Sequence, residues 1–145
     1  MSVEAGLNIY LGEYRIMDIV GVYLKRGLSV FDRDNRAFII TSDDYDWDFL
    51  SVTFDELTKI IEDKERRGSP ICISLYENGE PVTSLLKTNP NELGIACDIN
   101  RRTLDVSGHR GRPYTDVNWY IEKFIAPLEA DGFIIGDFEF SELRW

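Results

Sequence analysis

The chain has 145 residues, 43% of them hydrophobic and 12% aromatic, which suits one folded domain over 1–145 and excludes a disordered chain. Its formal net charge is −10, which disfavours nucleic acid and anionic membrane surfaces and favours a basic partner. The start, Met-Ser-Val-Glu-Ala-Gly, lacks a basic segment followed by an apolar run, and no stretch of about 18 apolar residues occurs, so the expectation is a cytoplasmic protein without a membrane span.

Leu7 to Leu11 alternates as a strand. Arg15 to Lys25 carries two signals. Ile16, Ile19, Val20, Tyr23 and Leu24 form a helical stripe, whereas the β-branched content and Gly21 favour a strand. Both remain open, with strand preferred because of a repeat described below. Leu28–Phe31 and Ala37–Thr41 flank Asp32-Arg-Asp-Asn-Arg36, whose composition predicts a hairpin turn. After the stretch Thr41 to Leu50, Thr53 and Glu56 have the spacing of a capping box. A helix over 53–67 follows, with Phe54, Leu57, Ile60 and Ile61 on its apolar face and Gly68 beyond its end.

Ile71 to Tyr76 alternates as a strand, Asn78-Gly79 is a type I′ turn signal, and Pro81 to Leu86 returns as the partner. Asn89-Pro90-Asn91 predicts a turn. Leu93–Ile99 and Thr103–Ser107 predict another hairpin around Asn100-Arg101. Gly108 to Pro113 reads as a loop. A second helix begins near Thr115 or Asp116, and Pro127 predicts an end or kink near residue 126. Phe133 to Phe140 is the last predicted strand.

Two sets of residues repeat. Asp32, Arg36, Phe38, Ile40 and Thr41 match Asp98, Arg102, Leu104, Val106 and Ser107 at an offset of 66. Leu57, Ile60, Ile61 and Gly68 match Ile121, Phe124, Ile125 and Gly132 at an offset of 64. The pattern predicts an α+β fold: an antiparallel curved sheet with two helices on one face, built from a duplicated hairpin–hairpin–helix–strand unit over 7–76 and 71–140. That duplication aligns Arg15–Lys25 with the strand at 81–86.

Charge is unevenly spread. Residues 42–63 hold eight acids against one base, a net of −7, whereas 101–112 hold four arginines against one acid, a net of +3. Within the acidic stretch, Asp43, Asp44, Tyr45, Asp46, Trp47 and Asp48 have three readings. They form a solvated loop with its rings folded onto the core, a partner-binding rim of aromatic anchors among carboxylates, or a calcium loop. The last fails on spacing, because Phe49 and Asp55 stand where an EF-hand needs Gly and Glu. In the basic stretch, Arg101, Arg102, His109, Arg110 and Arg112 are candidates for gripping an anion.

No catalytic motif, cofactor fingerprint or metal-ligand cluster is legible, so no enzyme, cofactor or metal is expected. Cys72 and Cys97 lie in apolar runs and read as buried small hydrophobes in a reducing compartment. The preferred function is an acidic protein-binding module, an inhibitor or antidote of the immunity type that neutralises a basic partner such as a nuclease toxin. The alternative is an anionic small-molecule binder with its cleft between the repeats. The sequence fixes no oligomeric state.

Overall fold

A computed structural model describes residues 2–41, 46–106 and 113–144. Its strands are β1 (Val3–Leu11), β2 (Ala37–Ile40), β3 (Trp47–Leu50), β4 (Ile71–Glu77), β5 (Glu80–Lys87), β6 (Glu92–Ala96), β7 (Thr103–Leu104), β8 (Tyr114–Thr115) and β9 (Ile135–Arg144). Helices α1 (Ile16–Leu24) and α2 (Phe54–Arg66) precede a third helical run. That run consists of α3 (Val117–Tyr120), a π-helical turn (Ile121–Ile125) and α4 (Ala126–Ala130). Seven strands form an antiparallel sheet in the order β3-β2-β4-β5-β6-β1-β9, and β7 pairs with β8 separately. The fold is therefore α+β with a curved antiparallel sheet, covered on one face by three helical runs rather than two.

Alternation sets the two faces. Leu7, Ile9, Ile39, Ile73, Leu85 and Ile95 point into one apolar cluster with α1, α2 and the third helical run. Side chains between them, including Phe38, Ser74, Tyr76 and Ser84, point to the opposite face.

Arg15–Lys25 is a helix, not a strand. The 3.6-residue stripe prevails, with Ile16, Ile19, Val20 and Tyr23 fully buried. Gly21 costs about 1 kcal/mol of backbone entropy relative to Ala, which burial of the stripe outweighs. The helix start is secured from far along the chain. Glu65 Oε2 accepts from the Ile16 N–H at 2.8 Å and from Lys87 Nζ at 2.7 Å, with Lys87 lying 4.1 Å over the Tyr14 ring.

The helix α2 begins as expected, the Thr53 hydroxyl accepting from Glu56 N–H at 3.2 Å. The Glu56 carboxylate returns to that hydroxyl at 3.1 Å instead of to the Thr53 backbone. The Asn78-Gly79 turn has both φ angles positive, at 53° and 79°, as a type I′ turn requires. Asp32 organises its predicted turn, Oδ1 accepting from the N–H groups of Asp34 and Arg36. Its flanks, however, do not pair with each other. Ser29 bridges to Tyr76, and β2 pairs with β3 and β4.

The predicted hairpin of 93–99 with 103–107 is also replaced, because β6 lies between β5 and β1 while β7 pairs with β8. The proposed duplication therefore finds no support. Phe38 and its match Leu104 lie in different sheets, and 16–24 is helical where 81–86 is strand. Pro127 does perturb its helix. The backbone widens into the π-turn ahead of it, and Pro127 then occupies the first turn of α4, where its missing N–H costs least. Phe133 and Ile134 precede the last strand, which runs on to Arg144.

Candidate functional site: an acidic, aromatic sheet edge over a concave face

The strand β3 is one of the two edge strands of the large sheet and pairs on one side only, with β2. Phe38 stands opposite Phe49, which places Phe38, Trp47 and Phe49 on the face away from the helices. Phe38 stacks on Phe49 with ring centroids 4.4 Å apart and packs against Trp47 at 4.7 Å with the rings tilted by 36°. The stack is not sealed in the interior, since Trp47 is 39% and Phe49 47% exposed. Trp47 thus lies on the sheet through Phe38 while keeping part of its ring in solvent.

Two carboxylates adjoin these rings in sequence, with Asp48 alternating to the opposite face of the strand from Trp47 and Phe49. Asp46 is exposed, and its backbone carbonyl accepts from Thr41 N–H at 3.0 Å to close the end of the β2–β3 pair. Asp48 is exposed, with Oδ1 accepting from Phe49 N–H at 2.8 Å. Among the described residues, neither carboxylate forms an ion pair with a base. Asp43, Asp44 and Tyr45 lie outside the described residues.

Below the stack lies a cavity of about 580 Å³, lined by Phe38, Trp47, Tyr76, Ser74, Ser84 and Ile99 among others. A second cavity of about 310 Å³ is lined by Trp47 of one edge strand and Ser141 of the other. The sheet is thus curled until its two edges approach each other across the concave face.

Arg36 sits on the rim, its guanidinium 4.3 Å from the Phe49 ring centre and bonded to Asp32 and Asp34 at 3.2 and 3.3 Å. Burial alone would raise the Asp32 carboxyl, but the N–H groups of Arg36 and Asp34, together with the Arg36 charge, outweigh it and hold Asp32 below the usual carboxylate range. Burial raises the Tyr76 phenol at the same rim. These partners escaped sequence reading, although one signal was available. Strand alternation puts Phe38 and Phe49 on one face, and Ser74 and Tyr76 opposite Ile73 and Leu75.

The basic candidates separate. Arg101 is committed to its own chain, with Nη1 donating to the Pro113 carbonyl and the Thr115 hydroxyl at 3.0 Å each and to Glu142 at 3.5 Å. It fastens the β7–β8 ribbon to β9. Arg102 is exposed, and its guanidinium lies 4.8 Å over the Trp119 ring, beside a cavity of about 540 Å³ that also borders Glu77 and Glu80. His109, Arg110 and Arg112 lie outside the described residues. Among the described residues the anion site therefore keeps Arg102 alone.

No family model matches this chain, and no curated protein or solved structure matches it either.

Burial pushes both thiols up to about 12, so neither Cys72 nor Cys97 presents a thiolate near neutrality; both are free and buried. Among the described residues, no helix is long and apolar enough to cross a membrane.

Proposed function

We propose that the chain is an acidic protein-binding module that docks onto a cationic partner through the β2–β3 edge, and that it works as an inhibitor or antidote of the immunity type. The observation that carries this reading is the pair of rings Trp47 and Phe49, held half-exposed on an edge strand that also carries the exposed carboxylates of Asp46, just before it, and Asp48. Large rings that are already ordered lose little entropy on docking, and Trp is the residue most enriched at energetic centres of interfaces. Carboxylates around them attract a basic surface over distance and repel an acidic one. A nuclease must be positive where it holds phosphates, so an acidic inhibitor that covers that surface competes directly with the nucleic acid.

The test starts with a basic partner captured from the host, then purified. Its association rate should fall at least about tenfold between ~50 and ~200 mM salt, as steered encounters do. Trp47→Ala should weaken the complex about a hundredfold or more, as removal of an interface anchor does. An Asp46→Asn, Asp48→Asn double variant should slow association and leave dissociation nearly unchanged. Binding that is insensitive to both salt and these variants refutes the reading.

A further inference from the structure

The edge strand alone leaves the concave face unexplained. Trp47, Ser84 and Ile99 line both cavities, which therefore form one trough across the sheet. Its floor is short and uncharged. Ser74 and Ser84 meet through their hydroxyls at 3.0 Å, and Gly94 and Ala96 continue the surface. Acidic groups line its aromatic wall, and two more lie farther along the same sheet face. Asp32, Asp34 and Glu80 stand by the aromatic wall, while Glu139, opposite Asn8, and Glu92, opposite Tyr10, share the same face of β9 and β6. Arg33 pairs with Glu80, and Arg36 with Asp32 and Asp34, so at the aromatic wall three carboxylates share two bases and one negative charge remains in excess.

Arg36 indicates what such a wall accepts. A guanidinium rests on the Phe49 face while neighbouring carboxylates take its N–H groups. The Trp47 ring presents the same chemistry toward the trough and is a stronger partner for a cation than Phe.

We propose that the trough receives an arginine side chain from a loop of the basic partner, its stem lying along Trp47 and Ile99 and its guanidinium meeting the ring and the rim carboxylates. This rests on the protein-binding reading above and names what that partner inserts. An uncharged floor suits the methylene stem, and a rim on which carboxylates outnumber bases among the described residues suits the head. Anionic ligands are disfavoured by the same rim.

The probes are capped hexa-arginine, hexa-lysine and hexa-glutamate peptides, read by tryptophan fluorescence, with Trp47→Phe to assign the signal. Hexa-arginine should quench Trp47, hexa-lysine should bind several-fold more weakly, and hexa-glutamate should not bind. Two variants fill the trough without touching the edge: Ser84→Leu from the floor, and Ile99→Arg, which supplies a guanidinium from within the chain. Each should weaken hexa-arginine binding about tenfold, the loss expected for one cation–ring contact with its carboxylate partner. Because Ile99 is only half-buried, that variant decides the matter if Ser84→Leu fails to fold.

Unchanged hexa-arginine binding in the folded trough variants overturns the proposal, as does equal binding of hexa-lysine with no loss in either variant. The edge reading is judged separately, by the Asp46→Asn, Asp48→Asn double variant against the purified partner. It survives if that variant loses association rate while the trough variants do not matter.

Discussion

Removing the Glu65 carboxylate should destabilise the fold more than any exposed ion-pair change. Glu65 and Lys87 form a 2.7 Å pair with side chains only 17% and 10% exposed. The same Oε2 accepts from Ile16 N–H, and Arg15 at the helix start offers no side-chain cap. Glu65→Ala therefore leaves the Lys87 ammonium with the Tyr14 carbonyl and ring but without its counter-charge. Breaking a buried pair from one side costs about 3–5 kcal/mol, and residual exposure places this one near 3. Loss of the cap adds about 1 kcal/mol. The sum of about 4 kcal/mol corresponds to a melting temperature lower by roughly 10 °C for a chain of this size. Urea unfolding followed by far-ultraviolet circular dichroism measures it, with the slope checked against the wild type. The pair Glu65→Leu with Lys87→Met removes both charges and should cost only about 1–2 kcal/mol, less than Glu65→Ala alone. A Glu65→Ala cost below about 1 kcal/mol, or a double variant as unstable as the sum of its parts, refutes the reasoning.

Lys64 on α2 is 2% exposed, and its amine has no hydrogen-bond partner among the described residues; Lys64→Met should therefore raise stability by about 1 kcal/mol in the same urea assay. Tyr23→Phe removes a buried hydroxyl that donates to the Phe124 carbonyl at 2.8 Å, and the stranded carbonyl should cost about 1–2 kcal/mol. Asp32, held below the usual carboxylate range, contributes stability that is present above its unfolded pKa and lost as pH falls through the lower folded value. Asp32→Asn should thus be less stable than wild type at neutral pH, with the gap closing below about pH 4 when both are titrated in urea. With both thiols pushed up to about 12, iodoacetamide at about pH 8 should label neither Cys72 nor Cys97 until denaturant unfolds the chain, which mass spectrometry reads directly.

Local chemistry determined much of this protein without help from the fold. Thr53 and Glu56 set the start of α2, Asn78-Gly79 set the turn between β4 and β5, and Asp32 set its own turn, because each satisfies its backbone within a few residues. The acidic, ring-bearing stretch around Trp47 was legible for the same reason: composition is written in the chain. Other features are settled by distant partners. The segment 16–24 becomes a helix once Glu65 caps it and the cluster buries its stripe, two conditions supplied from elsewhere in the chain. Arg101 could not be told from Arg102 by spacing, yet Glu142 on the last strand claims one and leaves the other on Trp119. The concave trough belongs wholly to the tertiary structure, since only the curl of the sheet brings Trp47 and Ser141 to one cavity. Alternation decides which side chains face that way, but curvature, a property of all seven strands together, decides whether they enclose a space.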